Sequence, residues 1–127
     1  MTISYNRLGS NGRLGNQMFQ YASLRGIANY NQYQWMIPPP DCNHRDNYGL
    51  FDTFEMKHCK PENLGFNDGM TITEKTHAFD DSMFYCTDGV NIDSYLQTED
   101  YFVHIADQIR EDFTFKKDYL EPCQEFI

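Results

Sequence analysis

The stretch Gly12-Arg13-Leu14-Gly15-Asn16-Gln17-Met18-Phe19-Gln20-Tyr21 constrains this chain more than any other. Two glycines at i and i+3 sit in a turn that runs straight into a helical pattern. Before it, residues 3–7 read as a short strand, and residues 8–14 form a Gly/Asn/Ser-rich turn. Across residues 16–30, Met18, Tyr21, Ala22, Leu24, Ile27 and Ala28 recur at i, i+3, i+4, i+6, i+9 and i+10. That spacing predicts a helix with a broad apolar face laid over one side of a sheet. Asn16 is of the residue type expected to cap it. A strand, a glycine turn and a helix in this order bring backbone amides that lack intrahelical partners close to a polar or anionic ligand.

Farther along, residues 34–37 read as a second strand, which Pro38-Pro39-Pro40 ends because proline gives no ladder donor. Residues 41–88 are rich in Asn, Asp, Gly and His, with Phe51, Phe54, Phe66, Phe79 and Phe84 as isolated anchors among loops and short strands such as 71–73. Val90 and Ile92 alternate with Asn91 and Asp93, so residues 90–95 read as a strand. A strong helix is expected next. Thr98 can cap it, Glu99 and Asp100 suit its positive end, and Phe102, Ile105, Ala106, Ile109 and Phe113 share one face. Strands alternating with helices imply an α/β fold with a mostly parallel sheet, whose ligands bind outside the carboxyl ends of the strands.

The 127 residues fit a single domain, the commonest size being ~100–150 residues. A hydrophobic content of 40% with 16% aromatic residues is enough for a folded core. A net charge of −9 without any basic stripe opposes a nucleic-acid partner, since phosphate backbones are held by concentrated Lys and Arg. Scattered acids such as Asp80-Asp81 and Glu99-Asp100 read first as a solvated surface and only second as catalytic groups. Cys42, Cys59, Cys86 and Cys123 show no Cys-x-x-Cys spacing, and His44, His58, His77 and His104 show no metal-ligand spacing. Free thiols and no metal are therefore expected. With no secretory signal pattern and no apolar run approaching ~20 residues, the expected location is cytoplasmic, with association at a membrane surface left open.

The run from Gly12 to Ala22 resembles the opening signature of the bacterial and viral α-1,2-fucosyltransferases, glycosyltransferase family 11. Leu50-Phe51-Asp52-Thr53-Phe54 resembles that family's Leu-Phe-Asp-x-Phe segment. Tyr95-Leu96-Gln97-Thr98-Glu99-Asp100-Tyr101-Phe102 resembles its Gly-Tyr-Phe-Gln-Ser-Glu-Lys-Tyr-Phe segment, with Ser94 and Asp100 in place of Gly and Lys. The likeness extends from about residue 3 to residue 115. The family's His-x-Arg-x-Gly-Asp motif, whose arginine grips the diphosphate of GDP-fucose, does not occur in this sequence. The resemblance therefore implies a Rossmann-like N-terminal domain of a GT-B type glycosyltransferase, incomplete: residues 1–127 as the acceptor-side domain, the donor-binding domain absent, and the chain inactive by itself.

The implied reaction is inverting transfer of L-fucose from GDP-fucose to the 2-hydroxyl of a β-galactoside, with no obligatory metal or other cofactor. GDP-fucose and a galactose-terminated glycan are the implied partners, with no nucleic acid and no transmembrane segment. Such a reaction needs donors on the departing diphosphate and a dry, shaped site for an oxocarbenium-like centre. Arg13 and Asn16 are the candidate catalytic residues, the first through its forked guanidinium, the second through its amide. Gly12, Gly15 and Gln17 are candidates for the donor or substrate contact, and Tyr95 and Gln97 for the lining of the cleft. The plainer possibilities stay open at this point: a mere tight turn, a solvated Arg13, an Asn16 that only caps. So do a non-catalytic carbohydrate-binding domain and an inactive remnant of the family.

Overall fold

The computed structural model describes residues 1–10, 13–40, 48–75 and 78–116. The chain folds around a small parallel sheet with one long helix against it. The strands are β1 (Thr2–Ser4), β2 (Gln34–Met36), β3 (Thr71–Ile72) and β4 (Asn91–Ile92), in the order β2-β1-β4-β3. Register runs Ile3 beside Trp35, Ser4 beside Asn91 and Ile72 beside Ile92, every pair parallel. The helices are α1 (Leu14–Asn31), α2 (Leu50–Thr53) and α3 (Ala106–Asp112). The α/β expectation holds at that level, as a mixed fold with a four-stranded parallel sheet. The strands are shorter than their sequence patterns, because side-chain and turn bonds replace the ladder at their ends: the amide of Asn6, for example, goes to the Asn91 side chain at 2.8 Å.

α1 is the pillar of the fold. Its C-terminus is closed by Gln32 in the left-handed region (φ 59°), whose amide returns to Ala28 and Asn29, a common helix stop. The expected one-sided apolar face underestimates its burial. Every residue from Gln20 to Ala28 is buried, because the sheet covers one side and the 3-10 turns Asp81–Tyr85, Glu99–Tyr101 and Val103–Ile105 cover another. Polar residues on that second side survive by finding partners. Ser23 donates to the Leu96 carbonyl at 3.3 Å. The Arg25 guanidinium donates to Asp112 at 2.5 Å and to Gln108 at 2.7 Å, and lies over the Tyr21 and Trp35 rings. Gly26 permits the closest contact: a Cβ there would fall 1.9 Å from the Tyr101 carbonyl oxygen.

Two predicted features are corrected. The helix expected from Thr98 onward is broken into two 3-10 turns before α3 begins at Ala106. Its first turn is capped by Thr98 as expected, through a bond from the Asp100 amide, but Phe102 leaves helical geometry at φ −135°. The apolar face survives the break, since Ile105 and Ile109 pack with Ala22, flanked by Phe102 and Phe113. Second, Asn16 does not cap α1. The cap position is Arg13, with extended backbone and no side-chain cap bond, which places Asn16 inside the first turn.

The core is contiguous: Ile3, Tyr5, Leu8, Tyr21, Leu24, Ile27, Ile37, Leu50, Ile92, Leu96 and Tyr101 are all fully buried within it. Phe54, read as an isolated anchor, joins that core, and Phe79 and Phe84 pack around Tyr101. Cys59 and Cys86 are free thiols; Cys42 and Cys123 lie outside the described residues. Among the described residues, no helix is long and apolar enough to cross a membrane.

Candidate functional site at the carboxyl edge of the sheet

Between β1 and β4 the strand order reverses, since the chain leaves β1 for β2 on one side and reaches β4 from β3 on the other. Such a reversal opens a crevice at the carboxyl ends of the strands, the usual ligand position in α/β sheets. Residues following β1 and β4 are tied together there. The Tyr5 hydroxyl, fully buried, donates to the Ser94 carbonyl and accepts the Ser94 amide. Asn6 and Asn67 exchange side-chain to backbone bonds at 2.7 and 3.1 Å. Arg7 donates to Asp93 at 3.1 Å, a pair whose side chains remain 58% and 21% exposed. After this pair the chain turns at Gly9 (φ 91°), where any Cβ would meet the Tyr48 ring at 2.7 Å; glycine is required on both counts.

Glu74, just beyond β3, braces the floor. Its carboxylate accepts the Ser94 hydroxyl at 2.6 Å, the Leu96 amide at 3.1 Å and the Tyr101 hydroxyl at 2.5 Å. Burial, with the Glu74 bond second, raises the Tyr101 phenol above its ordinary range, so it stays a proton donor. This bracing holds Leu96 in the left-handed region (φ 53°), a costly state for a bulky residue. Along the run from Asp93 to Gln97, Ser94 and Leu96 bond to Glu74, Tyr95 and Gln97 are exposed, and Asp93 is half-buried against Arg7.

The residues singled out by sequence divide into two groups on this edge. Gly12 lies outside the described residues. Arg13 is exposed at the start of α1 and gives its carbonyl to the Gln17 amide at 3.0 Å. Gly15 is exposed in an ordinary backbone conformation, with open space where a Cβ would stand. Asn16 is half-buried. Gln17 is fully buried and its Oε1 accepts the Gly49 amide at 3.1 Å, so it supports the loop from behind. Beyond β4, Tyr95 is 58% exposed, and Gln97 donates back to the Tyr95 carbonyl at 3.0 Å. The first group follows β1 and the second follows β4, its neighbour in the sheet. The first turn of α1 carries no acidic residue and no side-chain cap, which leaves the positive end of an 18-residue dipole available.

Sequence reasoning missed Arg7, Asp93 and Glu74. The available signal was positional, since each lies within a few residues of the carboxyl end of a strand, but strand ends are legible only once the pairing is known. Among the described residues, no group of three or more His, Cys, Asp or Glu is placed to hold a metal ion. His58 instead pairs with Glu111 at 2.9 Å and His104 donates to the Gly26 carbonyl at 3.0 Å; His44 and His77 lie outside the described residues. Burial, reinforced by Asp112, pushes the Cys59 thiol up to about 12, so this thiol is protonated at neutral pH. No family model, no curated protein and no solved structure matches the chain.

Proposed function

We propose that this chain is the acceptor-side, N-terminal domain of a GT-B type galactoside α-1,2-fucosyltransferase. The observation that carries the reading is Gly15: the fold does not need a glycine there, yet one stands in open space at the bare, uncapped start of α1. A ligand approaching the backbone would need it. Added to the signature from Gly12 to Ala22, this supports a polar or anionic ligand at the carboxyl edge of the sheet. In the proposed reaction the bond from the anomeric carbon of fucose to the diphosphate breaks, with its electron pair leaving on GDP. The galactoside O2 forms the new bond and loses its proton. Arg13 and the first amides of α1 face the charge that develops, the kind of fixed donors that stabilise such a transition state. The His-x-Arg-x-Gly-Asp grip is not among these 127 residues, so the reading assigns it to a donor-binding domain beyond them.

The test is a transfer assay with GDP-fucose and lactose on a protein that joins this domain to the donor-binding domain of its own reading frame. Arg13→Ala there lowers kcat/KM by roughly a hundredfold or more, the scale of losing one charge-stabilising donor. Unchanged turnover in both Arg13→Ala and Asn16→Ala would defeat the assignment, as would transfer by residues 1–127 alone. The exposed Tyr95 favours a second reading, a carbohydrate-binding domain without catalysis. In that case glycan affinity is indifferent to Arg13.

A further inference from the structure

We infer that Arg7, Asp93 and Tyr95 form a subsite for a single pyranoside ring, in which the ring stacks on Tyr95 and two of its hydroxyls are bound by the Asp93 carboxylate and the Arg7 guanidinium. Ser94 and Leu96 are held by Glu74, and of their neighbours Asp93, 21% exposed, takes the Arg7 guanidinium while Tyr95, two residues on, is exposed. Tyr95 stands apart from the other exposed tyrosines. Tyr30 and Tyr85 pack edge to face on each other, whereas the Tyr95 ring meets no other ring and its hydroxyl no partner among the described residues. A 58% exposed aromatic side chain of this kind offers an apolar plane with a polar tip.

Arg7 fixes the geometry of the polar half. It reaches across from the end of β1 to Asp93 at the end of β4 through 3.1 Å. An ion pair this exposed adds little to stability. Its chemistry suits a neutral polyol better than an ion: the carboxylate accepts from hydroxyls, the guanidinium donates to them, and each partner cancels the other's charge toward the ligand. A phosphate would be repelled by Asp93 and an ammonium by Arg7. The bonds from Tyr5 to Ser94 and from Asn6 to Asn67 fix the chain around Arg7 and Asp93 before any ligand arrives, which reduces the cost of binding. The choice of a galactoside as the ring rests on the fucosyltransferase reading; the subsite itself does not.

The experiment is titration of the isotopically labelled chain with methyl β-D-galactopyranoside and, separately, methyl α-D-mannopyranoside, followed by amide shifts. Galactoside-dependent shifts at residues 5–7 and 93–97, with affinity weakened roughly tenfold or more in Asp93→Asn and in Tyr95→Ala, establish the subsite. Tyr95 is solvent-facing, and an unchanged thermal midpoint in Tyr95→Ala, whose ring has no ring partner to lose, excludes misfolding as the cause. If the mannoside and not the galactoside produces those shifts, the subsite stands and the fucosyltransferase reading fails. If neither sugar shifts these amides, or shifts occur elsewhere, or both variants bind as the parent does, the inference is overturned.

Discussion

Replacing Asp112 by asparagine tests the account of what holds α1 in place. The Asp112 carboxylate is fully buried and accepts three bonds: from the Tyr21 hydroxyl at 2.5 Å, from Arg25 at 2.5 Å and from the His58 amide at 2.6 Å. The asparagine side chain has the same shape and can still accept from two of these donors, but it leaves the Arg25 charge uncompensated. Arg25 is 6% exposed and its Nε already has no hydrogen-bond partner among the described residues, so the guanidinium cannot turn to water without opening the packing over Trp35. Breaking one side of a buried pair costs about 3–5 kcal/mol, a large share of the roughly 5–15 kcal/mol that holds a domain together. With an m-value of about 2 kcal/mol/M, the urea midpoint falls by about 2 M. Trp35, the only tryptophan, lies under the Arg25 guanidinium at 5.5 Å and reports the transition by fluorescence. Arg25→Met combined with Asp112→Asn removes the orphaned charge while the amide oxygen accepts from the His58 amide and the amide nitrogen donates to the Tyr21 hydroxyl oxygen, and regains more than half of the loss. A single variant that loses under about 1 kcal/mol, or a double variant no better than the single, would refute the argument that an uncompensated charge dominates.

Three further substitutions have outcomes fixed by the same packing and hydrogen bonds. Gly26→Ala places a Cβ 1.9 Å from the Tyr101 carbonyl oxygen and 2.8 Å from Phe102 Cα, so backbone must move and stability falls by about 1–3 kcal/mol in urea unfolding; Gly15→Ala, in open space near the start of the same helix, leaves the chain as stable or gains up to about 1 kcal/mol. Asp80 accepts from the Ser82 hydroxyl at 2.6 Å and from the Lys75 amide at 2.8 Å, and these bonds hold its carboxyl below the usual value of 3.8. Its contribution is therefore complete above that value and lost as pH falls through the lower folded one. Asp80→Asn should flatten the thermal midpoint against pH in this acid range and nowhere above it, and an unchanged acid limb would contradict the assigned bonds.

The local devices were legible in the sequence because they rest on short-range chemistry. The turn that feeds α1, the periodicity of Met18, Tyr21, Leu24 and Ile27, and the Thr98 cap need only neighbours two to four positions away. Parallel α/β character followed from alternation along the chain. Register and strand order did not. Ser4 meets Asn91 and Ile3 meets Trp35 across long stretches of intervening chain, and no local pattern fixes such pairings. The break at Phe102 is equally tertiary: Gly26 lets the backbone of Tyr101 and Phe102 sit directly on α1, a fit that overrides the helical propensity of residues 99–105. The burial of Arg25 and Asp112 depends on α3 closing over α1. So the sequence determined α1, the alternation of short strands with helix and the Thr98 cap, and marked the start of α1 at Arg13 and Gly15. Only the tertiary structure decided that Arg7 and Asp93 meet and Tyr95 faces outward, because side chains from distant strand ends acquire a shared site only when the sheet aligns them.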